Sequence, residues 1–207
     1  MSTPAPRSQD EPATAKRAEV QAAVLKATEE LIVEGATYAD LNIEKIATRA
    51  GISRTAFYFY FADKRELLMR MTMDINELMF QQASAWWQGS GDDPEAELRA
   101  SLGAIAAIYR DHHALLRVVV EVSTYEQTTS DFWRGLMKRF VDAIEDRIAM
   151  DQAAGRALPG SPAGLAYVLV WSVERSLYQS YVNEESDPDD VIAALVVLFR
   201  RTIYGLS

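Results

Sequence analysis

The sequence predicts an all-α protein of about nine helices, a small N-terminal three-helix unit followed by a larger helical body. Two observations carry this reading. Apolar residues recur at steps of three and four, as in Val20, Val24, Ala27 and Leu31. Helix-start signals also stand where such stretches begin: Asn42, Ser53, Asp63 with Glu66 three residues on, Asp93-Pro94 and Asp187-Pro188. The run Val118-Val119-Val120 has strand character, but no partner strand is visible, so a helix is expected there too.

Residues 1–14 contain three prolines and no periodicity and are expected to form a disordered arm. A first helix is expected from about Ala15 to Glu34, stopped at Gly35. The second is capped by Asn42, gathers Ile43, Ile46, Ala47 and Ala50 on one face and stops at Gly51; Ser53 caps a short third. The fourth opens at Asp63 and carries a stripe of Leu67, Leu68, Met71, Ile75, Leu78 and Met79 towards Trp86 and Trp87, before a loop at 88–93. Pro94 begins a fifth helix, ending near Asp111, and residues 115–122 form a sixth. Ser130 opens a seventh, with Trp133, Leu136, Met137, Phe140, Ile144 and Ile148 on one side, ending at Gly155 before a loop at 156–162. The last two, 163–182 and 188–204, are apolar nearly all the way round, which calls for cover on every side. A second copy of the chain supplies that cover better than a core hairpin inside a monomer, so a homodimer through these two helices is expected. The expected organisation is therefore an arm (1–14), a small helical unit (15–68) and a larger body (69–207), with the fourth helix linking the last two.

Composition narrows the function classes. The 207 residues are 49% apolar and 25% charged, ordinary for a globular protein. With no cysteine and only His112 and His113, thiolate or histidine-rich metal sites are not expected, and no cofactor is called for. No Gly-rich phosphate loop, GxSxG or other catalytic constellation appears, so no catalytic residue is expected. Neither a secretory h-region nor a membrane-length apolar run is present, so a cytoplasmic location is expected. The net charge of −9 argues by itself against nucleic acid, but it lies wholly in residues 71–207; from Lys45 to Arg70 six basic residues stand against Asp63 and Glu66.

That locally basic stretch, Asn42 to Leu68, reads as helix, three-residue turn Gly51-Ile52-Ser53, and helix, the pattern of a DNA-reading helix-turn-helix. Phe57 and Phe61, four apart, suit an inner face with Ile46 and Ile52. Arg54, Thr55 and Tyr58 then face outward, with Phe59 and Tyr60 near the edge. Arg54 can donate to guanine or phosphate, Thr55 can meet a phosphate or a thymine methyl, and tyrosine hydroxyls reach phosphates. The alternating aromatics of FYFYF also suit a strand, but the flanking caps leave room for about two helical turns. Thr48 and Arg49 at the exposed end of the second helix, and Lys16 and Arg17 on the arm, are candidate backbone contacts.

The block IEKIATRAGISRTAFYFYFADKRELL (43–68) resembles the DNA-binding domain of the TetR family of bacterial transcriptional regulators. The order and lengths of the later helices agree, and GISRTAFYFYF, Glu174-Arg175 and Ile203-Tyr204-Gly205 are similar to a mycobacterial branch of that family. The resemblance implies base contacts from Ser53, Arg54, Thr55 and Ala56, and a phosphate contact from Tyr58, the tyrosine of a Tyr-x-His-Phe pattern. The histidine of that pattern is Tyr60 here, and the lysine opening the fourth helix is Lys64. It further implies a ligand cavity enclosed by the fifth to seventh helices, and a dimer made by the last two. Trp86, Leu98, Leu102, Ile105, Tyr109, Trp133, Met137, Phe140, Trp171 and Tyr178, with Trp87 and Tyr125, are candidate lining for a small hydrophobic or aromatic effector. Glu174, set in an apolar helix, is expected to pair with Arg175 or across the dimer rather than with a ligand. The expected function is a sequence-specific repressor released from a palindromic double-stranded operator by its effector. The alternatives are a helical interaction or ligand-binding protein without DNA-binding activity, and an enzyme.

Overall fold

A computed structural model describes residues 11–89 and 93–205, with side chains for all but residues 11–14 and 94. Eight α-helices follow one another: α1 (Glu11–Val33), α2 (Ile43–Arg49), α3 (Arg54–Phe57), α4 (Lys64–Gln88), α5 (Pro94–Ser123), α6 (Gln127–Ala153), α7 (Pro162–Tyr181) and α8 (Pro188–Phe199). A π-helical turn, Arg200–Tyr204, closes the series. Among the described residues there is no strand, and no helix is long and apolar enough to cross a membrane. The expected arm at 1–14 lies outside the described residues up to residue 10; the chain is already helical from Glu11.

The chain divides into two compact units, Met1–Leu68 and Met69–Ser207. In the first, α1 buries Val24, Ala27, Thr28 and Ile32, one residue round from the predicted Leu31. Leu41, Ile46, Ala47, Phe57, Phe61, Leu67 and Leu68 complete this small core. The turn after α2 depends on Gly51 at φ +72. Its N–H reaches the Thr48 carbonyl and that of Ile52 reaches Ala47, the paired bonds that close a helix through a left-handed residue. Space for a Cβ exists at Gly51, so backbone conformation rather than crowding selects glycine.

In the second unit α5 packs against α6, α7 and α8, and α6 packs against α7. The buried face of α4 is Met71, Thr72, Ile75, Asn76, Met79, Ala83, Trp86 and Trp87. Leu78, expected on that stripe, is 40% exposed because it stands on the shoulder of the face. Two further boundaries differ from the sequence expectation. The predicted fifth and sixth helices are one helix, α5, bent at His112 (φ −122, ψ 18), where the His113 ring nitrogen sits 2.8 Å from the Arg110 carbonyl. Helix α6 begins three residues before Ser130, because the Glu126 carboxylate accepts the Thr129 N–H at 2.7 Å and caps it earlier.

Helices α7 and α8 bury inner faces of Ala166, Leu169, Val170 and Leu177, and of Leu195, Val196 and Phe199. Their outer faces present Tyr167, Val168, Ala193, Ala194 and Val197, all exposed in the single chain.

Candidate nucleic-acid interface and enclosed cavity

The α2–α3 unit is built by its caps and its aromatics. The Asn42 side chain accepts the Lys45 N–H at 2.8 Å, and the Ser53 hydroxyl accepts the Ala56 N–H at 3.1 Å. Helix α3 proper is a single turn, shorter than the room between its caps allows, but helical bonding continues: Phe61 N–H reaches the Phe57 carbonyl at 3.1 Å. That winding turns Phe57 and Phe61 inward together, rings 5.6 Å apart, and rules out a strand for FYFYF. Ser53, Arg54, Thr55, Tyr58 and Phe59 consequently point to solvent, with Ala56 and Tyr60 half-buried beside them. Arg17 from α1 joins this surface, its guanidinium 5.7 Å from the Tyr60 ring centre and its Nη2 3.4 Å from the Phe59 carbonyl. Phe59, 72% exposed, is the most open large apolar side chain described.

Two of the candidate cations have work inside the unit. Arg49 forms a two-pronged pair with Glu34, 2.8 and 2.9 Å, which ties the end of α2 to the end of α1 and holds the Glu34 carboxyl below its ordinary value. The Lys64 ammonium donates to the carbonyls of Tyr38 (2.8 Å) and Leu41 (3.2 Å) and lies 4.2 Å from the Tyr38 ring centre. Arg54, in contrast, has no ion pair among the described residues, and Thr48 is exposed.

The second unit holds a narrow apolar slot with a cavity volume of about 60 Å³. Eight of the predicted lining residues meet there: Trp86, Trp87, Leu98, Leu102, Ile105, Tyr109, Met137 and Phe140. Met79, Ala83, Ile144, Val170, Val173 and Phe199 add to the wall. Trp133, Trp171 and Tyr178 do not line it. Trp133 is buried elsewhere, Trp171 is half-buried beside Tyr167, and Tyr178 lies under the Arg175 guanidinium. Tyr125 is exposed. Helical period assigned Trp133, Trp171 and Tyr178 to apolar faces but not to the side of the face on which the slot opens, and Tyr125 lies in the turn between α5 and α6.

Three polar groups on this wall lack hydrogen-bond partners: Ser101 Oγ, Trp86 Nε1 and both carboxylate oxygens of Glu174. Glu174 is 3% exposed, and burial pushes its carboxyl up from the ordinary value, only partly opposed by Arg175, whose Nη2 lies 3.5 Å from Oε2. The expected pairing with Arg175 is thus present but loose. Burial, then the charge of Glu174, raises the Tyr109 hydroxyl as well.

The C-terminal end of α4 is clamped. Arg147 Nη1 donates to the carbonyls of Trp86 (2.7 Å) and Gly89 (3.1 Å), while its Nε donates to Asp151 at 2.8 Å. Asp151, 1% exposed, also accepts from Arg156 and from the Tyr204 hydroxyl at 2.8 Å. Burial alone would raise the Asp151 carboxyl; these three donors outweigh it and hold it low. Burial and the bond to Asp151 push Tyr204 up to about 12. The Arg147–Asp151 spacing of four, beside Ile144 and Ile148, is the signal that could have revealed this cluster.

A helix-turn-helix unit followed by a helical body around an apolar slot defines a ligand-sensing class of bacterial regulator. Residues 24–71 match the family model for bacterial regulatory proteins, tetR family, and residues 98–205 match that for the C-terminal domain of transcriptional regulator EthR. The second match alone covers more than half of the chain, which therefore belongs to the TetR family, in the branch with an EthR-type C-terminal domain. It is a helix-turn-helix transcriptional regulator. Similar proteins include the HTH-type transcriptional regulator EthR of Mycolicibacterium smegmatis, 27% identical, covering 89% of this chain and 86% of its own. The EthR of Mycobacterium tuberculosis is 29% identical, covering 86% and 85%. Among solved structures, a TetR-family regulator from Syntrophomonas wolfei superimposes with a TM-score of 0.75 at 15% identity, covering 88% of this chain and 94% of that one. SmeT, the repressor of the Stenotrophomonas maltophilia multidrug efflux pump SmeDEF, gives 0.73 at 19%, covering 90% and 92%.

Proposed function

We propose that this regulator is a repressor that binds a palindromic operator as a homodimer and releases it when a small, mostly apolar effector enters the slot between α4 and α8. The observation that carries the reading is the course of α4. One continuous helix places Leu67 and Leu68 in the core of the first unit and Met79, Ala83, Trp86 and Trp87 on the wall of the slot. An effector that needs the slot widened must displace that wall. With the far end held by Arg147, displacement turns α4 about its clamp and carries its first turn with it. To release DNA, the effector needs several kcal/mol of preference for the displaced state.

Arg54 and Thr55 are the residues that read bases, with Ser53 and Ala56 completing the turn that approaches the groove. Tyr58, Tyr60, Thr48 and Arg17 supply phosphate contacts, and these make affinity fall steeply with salt. Arg49 and Lys64 support the unit from within, and each retains donor capacity for a phosphate. The open outer faces of α7 and α8 support the dimer, since an exposed patch of Tyr167, Val168 and Val197 costs less when a second copy covers it. Proteins of the same fold support a ligand-binding role for the second unit: SmeT is known in complex with triclosan, and a regulator from Saccharomonospora viridis in complex with choline.

A gel shift with genomic fragments at low salt tests the reading. One fragment is bound in preference to all others, and its complex is broken by a slot-filling ligand. Equal binding to every fragment would leave a helical ligand-binding protein without a DNA-reading role.

A further inference from the structure

We infer that the effector carries a protonated amine at one end of a slender apolar body, and that this amine docks on Glu174. The inference rests on the slot being the effector site. The polar groups of the slot wall are the Ser101 and Tyr109 hydroxyls, the Trp86 and Trp87 ring N–H groups and Glu174, and all but the last are neutral. The sign of charge inside is therefore set by Glu174 alone. Its two oxygens accept no hydrogen bond, although the residue is 3% exposed. Arg175 stands 3.5 Å from one of them, beyond a charge-assisted hydrogen bond, and its own side chain is 52% exposed. A buried acceptor pair left bare is costly, and the ligand group that relieves the cost is one that donates. An ammonium does so with several N–H bonds and an opposite charge; an alcohol has one O–H; a carboxylate is repelled.

Shape narrows the body of the ligand. The wall residues on α5 run from Leu98 to Tyr109, a helical rise of about 16 Å, and Tyr109 senses the charge of Glu174 at that end. The slot is narrow, with a cavity volume of only about 60 Å³, so a ligand body enters it by parting the walls. An unbranched alkyl chain or a flat ring system fits such a channel better than a bulky scaffold.

Three probes of equal length separate the possibilities: n-decylammonium, n-decanol and n-decanoate, titrated onto the full-length protein below their critical micelle concentrations. Binding is followed by calorimetry and by tryptophan fluorescence, to which Trp86 and Trp87 on the slot wall contribute. Wild type is expected to bind decylammonium at least about tenfold more tightly than decanol, and decanoate least. Glu174→Gln, which keeps the shape, should bring the amine and the alcohol within about twofold of each other; Glu174→Leu gives the same readout if the amide misfolds. If decanol or decanoate binds as well as the amine, or if Glu174→Gln leaves the preference intact, the amine inference is overturned while the slot remains an effector site. If none of the three probes binds, the slot itself is the wrong site and the inference falls with it.

Discussion

Arg147→Met tests the clamp on α4 with a magnitude that the structure supplies. The substitution keeps an unbranched apolar stem and removes three hydrogen bonds: to Trp86 O at 2.7 Å, to Gly89 O at 3.1 Å and to Asp151 at 2.8 Å. Breaking a buried ion pair from one side costs about 3–5 kcal/mol, chiefly because a charge is left uncompensated. Here Asp151 keeps Arg156 and Tyr204, so the loss falls to about 2–4 kcal/mol, the two stranded carbonyls included. All four tryptophans lie between residues 86 and 171, so urea unfolding followed by their fluorescence reports the second unit alone. The pH dependence has a definite sign. The folded-state carboxyl of Asp151 is held below its ordinary 3.8, so its contribution is complete above that value and is lost as pH falls through the lowered one. The gap between wild type and Arg147→Met should therefore be constant near neutrality and narrow only in strong acid. A loss under about 1 kcal/mol at neutral pH would refute the clamp. DNA affinity without effector should be largely kept, while more effector is needed for release.

Other outcomes follow from the same geometry. Tyr58→Ala should weaken binding about equally across DNA sequences and flatten the salt dependence, whereas Arg54→Ala should also change which sequences win; competition binding on a randomised site separates the two. Val168→Asp combined with Val197→Asp puts charges on the exposed faces of α7 and α8 and should give a monomer by light scattering, with operator affinity reduced at least about a hundredfold. Glu174→Leu should stabilise the effector-free protein at neutral pH by about 1–3 kcal/mol by removing an uncompensated buried carboxylate. Because burial raises its carboxyl above 4.5, the unfolded chain loses that proton first, so the wild-type penalty grows as pH rises from 4.5 through the raised value. The gain in Glu174→Leu should accordingly shrink below pH 4.5 in thermal melts.

The caps were the most legible feature of the sequence. Asn42, Ser53, Asp63, Asp93-Pro94 and Asp187-Pro188 each open a helix where local chemistry said they would, because a cap needs only residues three or four apart. What escaped depends on partners distant in sequence or on competition between nearby ones. Glu126 outbid Ser130 as a cap, and the break expected after Asp111 is a bend at His112 inside a continuous helix. In the reading surface, Phe57 and Phe61 turned inward as their spacing required. The inward ties of Arg49 to Glu34 and of Lys64 to the Tyr38 and Leu41 carbonyls had no local signature. The slot shows the same limit. Periodicity identified eight of its wall residues but could not separate them from Trp133, Trp171 and Tyr178, which share helix faces with wall residues without touching the slot. Glu174, set in an apolar helix, was expected to pair with Arg175 or across the dimer; only the packing shows its carboxylate facing an apolar space.

The central claim, that two copies of the Ser53–Tyr60 surface read one DNA site, is tested most directly by hydroxyl-radical footprinting on the preferred genomic fragment. The account predicts two protected segments related by a twofold axis, on one face of the duplex and spaced by about one helical turn or a multiple of it, both lost together in Arg54→Ala. A single unsymmetrical patch, or protection that survives Arg54→Ala and Tyr58→Ala, would contradict it.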